Sequence, residues 1–557
     1  MWQVRAPTVP RAGEGARRRF DGEPFAAPGV GRGPGDGVPM SPEGGSDSVA
    51  PFVSILFPWG AGPAPGVAVV SPESLRDLGL ARVLDDIASS RETREVLAAP
   101  LRDAALIRYR QEVMRDLESA ELRRAVSVFR DGMHAMRVRF PEAASPTYAY
   151  VRERARLEAA VHYVRAMTGL ADALRRPALA SQGLLALRAH LQRTVSSASF
   201  QRLARESESL SARLSELRYV LIVSGRRVTV RDLRSDESVR DAIERVFGRF
   251  IEGMPSEVDT RAYEPGGMSR VQAQIVERLA RLHPEPFAAL ERFAARGDAF
   301  PDPTMERFDR EVGFYLDVLE YLEPLRDAGL PICFPEVGEN RTPLRCKQTY
   351  DVALARRLVQ EGGTVVLNDI ELRDQERIFV VTGPNQGGKT TFARTVGQVH
   401  YLAGLGCPVP GTEALLCPFD HLATHFERGE RAQDLRGKLT DELVQVRRIL
   451  DAVTPSSIVI LNETFSSTTL SDARFLGGRL LAKLSELDLR AVYVTFVDEL
   501  ASFDEKTVSV VSTVEPDEPA IRTFRLERRP ADGAAHALAI ARRHGVTFEQ
   551  ILERLPE

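Results

Sequence analysis

Lysine is nearly missing from this chain. Of 74 basic residues only Lys347, Lys389, Lys438, Lys483 and Lys506 are lysine, and the rest are arginine. The bias reflects coding habit more than physics, yet it makes each retained lysine, a flexible point charge, worth accounting for. Cysteine is as scarce. Cys333, Cys346, Cys407 and Cys417 form no CxxC pair, which argues against a zinc ribbon or a disulfide framework. No apolar run approaches the roughly 18 residues that span a bilayer. The start of the chain also lacks the apolar core, about 7–15 residues long, of a secretory signal. A cytoplasmic, reducing environment without a membrane partner is the expectation. Neither sign of charge dominates, since 74 basic and 78 acidic residues leave a net charge of −4. No global basic field therefore points to nucleic acid, although a local basic groove is compatible with this balance.

What is present is a globular composition: 43% hydrophobic and 27% charged residues in a chain of 557. This excludes wholesale disorder and a collagen-like chain, and at about 150 residues per domain it predicts roughly three to four domains. The expected division has three parts. Residues 1–50 hold ten glycines and seven prolines, with six arginines balancing six acids. Such a segment cannot bury enough apolar area to offset chain entropy, so a disordered tail is expected, with Met40 an alternative start. Arg17, Arg18 and Arg19 within it read as solvated.

Residues 51–335 read as mostly helical. Leu157, Ala160, Val161, Val164, Met167, Leu170 and Leu174 recur at helical steps, and Pro177 interrupts them. Leu203, Leu210, Leu214 and Leu217 continue at near-heptad spacing, which predicts a long helix packed on a neighbour. Around 218–231 the period changes. Tyr219–Val223 and Val228–Val230 flank Ser224–Arg227, a β-hairpin pattern. Arg218, Arg226, Arg227, Arg231 and Arg234 there invite a phosphate contact, while Glu216, Asp232, Asp236 and Glu237 temper it. Helical pattern resumes near Ser235 and runs through Phe308, Val312, Tyr315, Leu319 and Leu322 to about Gly329.

In residues 336–557 strands and helices alternate. Ile378–Val381, Ile458–Leu461 and Ala491–Val494 are short apolar runs of the buried, parallel kind, separated by helical segments. Directly after the first run stands Gly383-Pro384-Asn385-Gln386-Gly387-Gly388-Lys389-Thr390, matching G-x-x-x-x-G-K-[ST], and Thr391 opens the helix behind it. The glycines let backbone N–H groups turn toward phosphate oxygens, and the helix N-terminus adds partial positive charge. Lys389 would reach the β- and γ-phosphates and Thr390 would offer a hydroxyl to Mg²⁺. The expected cofactors are ATP and Mg²⁺.

The second apolar run ends in Asn462-Glu463. Glu463 is the candidate general base, with a structural strand-end carboxylate as the other reading. Asn462, in a metal-facing position, offers a carbonyl oxygen but no charge, and Mg²⁺ favours anionic oxygen. Losing one charge at about 4 Å costs at most on the order of 4 kcal/mol at an effective dielectric of roughly 20. Nucleotide binding survives such a loss more easily than fast turnover does.

These residues resemble the ATPase domain of the MutS family of DNA mismatch-repair proteins. Gly383–Thr391 resembles the family's GPNMGGKST loop, and Leu367-Asn368-Asp369-Ile370 its approach strand. Glu442 with Ile449-Leu450 is similar to the helix ahead of the second acidic strand, and Thr468, Thr469 and Asp472 to the loop after it. Gly533, Ala539, Ile540, Ala541, Gly545 and Val546 resemble its closing helix. The helical block from about 75 to 330 is similar in character to the family's core, lever and clamp. The resemblance implies an ABC-like ATPase domain following a helical region, a homodimer that sandwiches two nucleotides, and helical arms that open and close around DNA.

The chain also departs from that pattern. Gly437 stands where the family has a trans-acting serine, Phe496 where it has a switch histidine, and Asn462 where it has an aspartate. Phe465-Ser466-Ser467 replaces a Gly-Arg-Gly stretch. Lys438 is a candidate substitute for the missing donor, or a solvated helix lysine. About 25 ordered residues before the helical block are too few for the family's mismatch-reading domain. Phe140-Pro141-Glu142 and Phe334-Pro335-Glu336 match only its tripeptide, and the end at Glu557 leaves no expected nuclease domain. Two functions follow: an ATP-dependent DNA-binding protein of repair or recombination without mismatch reading, or a nucleotide-gated dimer holding a protein partner with little hydrolysis. A P-loop kinase is a third, for which the helical block supplies neither lid nor acceptor pocket.

Overall fold

The computed structural model describes residues 52–58, 66–143, 148–224, 227–232, 270–296, 300–338, 343–427, 437–515, 521–531 and 546–552. The chain divides into two compact units, Met1–Ser48 and Val49–Glu557, and all described residues belong to the second. The glycine- and proline-rich tail, Arg234, and the stretch holding Gly533, Ala539, Ile540, Ala541 and Gly545 lie outside the described residues.

The architecture mixes a helical region with sheets. Many helices begin where a short polar side chain accepts a backbone N–H that the helix itself leaves unpaired. Ser71, Ser90, Asp103, Ser181, Ser197 and Asp302 all do so. The helix Pro303–Asp327 shows the logic in full. Asp302 caps it, Pro303 fixes its first turn, and Phe308, Val312, Tyr315, Leu319 and Leu322 form its buried stripe. Helix Ala149–Ala173 buries Leu157, Ala160, Met167 and Leu170 and packs along Ala120–Ala143. Of the near-heptad leucines, Leu203, Leu210 and Leu214 fall on Ala198–Ser215 and Leu217 lies just past its end; Ser197 parts this helix from Gln182–Ser196, ending one and capping the next. Tyr219–Ser224 and Arg227–Asp232 pair antiparallel as a two-stranded hairpin.

The main sheet has seven strands. Their order is Val69–Val70, His421–Phe426, Ile458–Asn462, Arg490–Val494, Ile378–Thr382, Thr507–Val514 and Arg522–Arg528. All neighbours run parallel except the last pair. The three apolar runs read from the sequence are thus adjacent central strands. The edge strand Val69–Val70 comes from far upstream, ahead of the helices. A four-stranded sheet of Glu336–Val337, Glu413–Leu416, Leu344–Thr349 and Asn368–Leu372 lies beside this part of the chain.

One apolar core runs through helical region and sheet, with members from Phe52 to Leu526. The helix Lys389–Gly404 is fastened into it by buried polar bonds. Gln398 Nε2 donates to Leu78 O at 2.8 Å and to Asp351 Oδ1 at 2.9 Å, and Tyr401 Oη donates to Leu97 O at 2.8 Å. Among the described residues no helix is long and apolar enough to cross a membrane, and all four cysteines are free thiols.

Candidate phosphate-binding site

Parallel strands direct their carboxyl ends, and the loops that follow, to one edge of the sheet, where open α/β sheets take up ligands. Here that edge carries the loop 383–388, the turn at Asn462-Glu463 and the segment after Val494. Strand Ile378–Thr382 is buried at every position and leads straight into the loop.

The loop turns into helix Lys389–Gly404 at Gly388, whose φ of 94° is open to glycine at little steric cost. No side chain caps this helix, so its first N–H groups are presented toward whatever occupies the loop. Gly387 is fixed by space instead. A Cβ there would lie 2.1 Å from Ser512 Oγ, which donates to Gly387 O at 2.6 Å. Ser512 is buried on the neighbouring strand Thr507–Val514 and clamps the loop from the side.

Lys389 folds back over the loop. Its Nζ donates to Gly383 O at 2.7 Å, Pro384 O at 3.1 Å and Asn385 Oδ1 at 3.3 Å. Burial lowers its pKa from the usual lysine value. Glu463 opposes that effect, Arg522 adds to it, and Asp498 opposes it again. The ammonium is thus held by loop carbonyls, in place for a more negative partner.

Thr390 Oγ1 donates to Asn462 Oδ1 at 3.0 Å, so the two candidate metal-facing residues do meet. Glu463 follows with a φ of 56°, its N–H bonded to Val494 O at 3.0 Å. Phe465, at φ 68°, is buried, and its N–H donates to Glu442 Oε2 at 3.0 Å. Glu442, itself buried, therefore holds the left-handed turn that positions Glu463. Thr469 caps the helix Leu470–Glu486, and its hydroxyl donates to Asp472 at 2.9 Å.

Asn368 ties a further strand to this edge. Its side chain accepts from Leu526 N–H at 2.8 Å and donates to Phe524 O at 3.1 Å. From the same strand, Arg522–Arg528, Arg522 Nε donates to Asn385 O at 3.2 Å. Sequence reading missed Ser512, Arg522 and Asp498, which carry no pattern of their own. It found Asn368 and Glu442 through resemblance, without their roles.

The remaining candidates are more dispersed. Gly437 is exposed at the start of helix Lys438–Ala452, with nothing within 4 Å of a Cβ built there. The side chains of Lys438, Arg226 and Arg227 lie outside the described residues, as do those of Phe140, Pro141 and Glu142. Phe496 is 44% exposed. Arg218 is exposed beside the hairpin and Arg231 is exposed on its second strand. Phe334 lies under the Arg115 guanidinium at 4.6 Å, an ordinary packing role.

The loop, uncapped helix and lysine fit a polyphosphate. A divalent cation is served less well. Thr390 Oγ1 and Asn462 Oδ1 are neutral and bonded to each other, and among the described residues no three His, Cys, Asp or Glu side chains gather as metal ligands.

Residues 379–544 match the family model described as MutS domain V. A DNA mismatch repair protein MutS from Caldicellulosiruptor saccharolyticus is 29% identical over 206 residues, 34% of this chain and 24% of the relative. One of the same name from Chlorobium phaeovibrioides is 24% identical over 376 residues, 62% of this chain and 41% of the relative. An endonuclease MutS2 from Gemmatimonas aurantiaca is 29% identical over 205 residues, covering 36% and 25%. The chain thus spans less than half the length of these relatives. The strand, glycine-rich loop and helix of the site thus lie within a segment similar to MutS domain V.

Proposed function

We propose that this chain binds ATP at the 383–391 loop and couples the bound nucleotide to the geometry of its helical region on DNA, in repair or recombination. The observation that carries the reading is the uncapped helix behind a glycine loop, with Lys389 folded onto the loop carbonyls. Gly383, Pro384, Asn385, Gln386, Gly387 and Gly388 form the cradle, Lys389 holds the β- and γ-phosphate oxygens, and Thr390 and Thr391 complete the first turn. Magnesium, when bound with the nucleotide, would neutralise phosphate charge, and Thr390 and Asn462 are the residues that would hold it. Glu463 orients a water and takes its proton. DNA is the proposed macromolecular partner, since the related proteins named above are mismatch-repair proteins and an endonuclease. A homodimer is proposed as the working unit, in the cytoplasm.

Asn462 favours a second reading. With an amide where a carboxylate would grip the cation, hydrolysis is slow, and the nucleotide serves as a gate for a dimer that holds a protein partner. The exposed Gly437 and Phe496 weigh the same way.

Steady-state phosphate release with and without duplex, mismatched and branched DNA separates the two. Turnover stimulated by DNA and lost in Lys389→Ala and Glu463→Ala supports the DNA-coupled ATPase. ATP binding through Lys389 with turnover no faster than Glu463→Ala on every DNA supports the gate.

A further inference from the structure

The nucleotide reading uses one cationic side chain, Lys389, yet a second reaches the loop. Lys389 Nζ lies 3.3 Å from Oδ1 of Asn385, and Arg522 Nε lies 3.2 Å from the carbonyl oxygen of that same residue. One cation comes from the helix behind the loop and the other from the strand Arg522–Arg528. Ammonium and guanidinium thus converge on a single loop residue. An anion seated against the loop would meet both, and a guanidinium's fork of donors suits phosphate oxygens.

The neutral Thr390–Asn462 pair points the same way, since it offers a hard cation no anionic oxygen.

We propose that Arg522 is a second phosphate-contacting cation and that, with Asn462 in place of a carboxylate, ATP binding here depends little on a divalent ion. The proposal rests on the nucleotide reading above and names what that site substitutes for the metal.

The test is calorimetric titration of the full chain with ATP, in excess magnesium and again in excess EDTA. Wild-type Kd is expected to differ between the two by less than about tenfold, or about 1.4 kcal/mol. Arg522→Ala is expected to weaken binding in EDTA by about tenfold or more, by loss of a charge-assisted phosphate contact. Arg522→Gln keeps a donor for Asn385 O and removes only the charge, so it should weaken binding as alanine does. Asn462→Asp should make binding cation-dependent. A wild-type Kd that tightens tenfold or more with magnesium overturns the proposal and leaves the nucleotide reading standing. Unchanged EDTA affinity in either Arg522 variant does the same. If wild type binds ATP no better than Lys389→Ala in both buffers, the nucleotide reading itself fails, and this proposal with it.

Discussion

Thr390 and Asn462 are joined by a 3.0 Å hydrogen bond from hydroxyl to amide oxygen. The bond links the first turn of the helix behind the glycine loop to a strand two places away in the sheet. It also sets how an acid at position 462 would behave. An aspartate there keeps the acceptor for Thr390 and adds the missing charge. Asn462→Asp is therefore expected to raise steady-state ATP turnover, by about tenfold if about 1.4 kcal/mol of barrier is recovered. Phosphate release measured in magnesium checks this. A rate at or below wild type would place the limit at Gly437 or Phe496.

Gly387 has no room for a side chain. A Cβ would sit 2.1 Å from Ser512 Oγ and 3.0 Å from Pro384 O. Gly387→Ala must displace the serine or the loop, so ATP affinity is expected to fall by about tenfold or more, with far-UV circular dichroism unchanged. Retained affinity would mean that the loop shape is not needed for binding.

Glu442 supplies the acceptor for the N–H of buried Phe465 at 3.0 Å. Replacing it with alanine strands that N–H away from water, which costs about 1–3 kcal/mol. Thermal unfolding of Glu442→Ala should show the loss, and Glu442→Gln, which keeps an oxygen in reach, should recover part of it. Equal melting of all three would remove Glu442 from its proposed role in holding the turn at Glu463.

Acid should unfold the protein partly through His400. This residue is buried in the helix Lys389–Gly404, its Nδ1 2.7 Å from Val396 O. Burial pushes its pKa from 6.5 down to about 4. The unfolded chain takes up this proton below about pH 6.5, and the folded chain only near 4. Stability is therefore full above the unfolded value and drains away between the two, by up to about 3 kcal/mol. Tm followed from neutral pH into this window should fall less steeply for His400→Asn, which keeps a donor but no titration. Parallel curves would remove His400 from the acid response.

The parts of this molecule that the sequence made legible are those written in local spacing. Phe308, Val312, Tyr315, Leu319 and Leu322 announce a buried helix face because helical periodicity is set within a few residues. The loop 383–390 is legible because tight turning and close backbone approach restrict which residues fit. Ser512 and Arg522 were not legible. Each reaches the loop from strands more than a hundred positions later, and their partners are backbone oxygens, which every residue has. Val69–Val70 was missed as a sheet strand for a related reason. Two paired residues hold too little pattern to announce an edge strand, and only the arrival of His421–Phe426 beside it makes it one.

The buried bonds from Gln398 and Tyr401 to Leu78 and Leu97 bear on how a local event becomes a large one. The helix that begins at Lys389 has no slack along this flank, since two of its side chains are bolted to backbone oxygens around helices Pro72–Asp77 and Arg91–Leu97. On the proposed reading, a tilt imposed at its loop end would be delivered as rigid-body displacement to the base of the helical region. The transmission would run through a stiff rod and two pins rather than through a flexible joint, and loosening either pin would let the loop move while the helical region stays still.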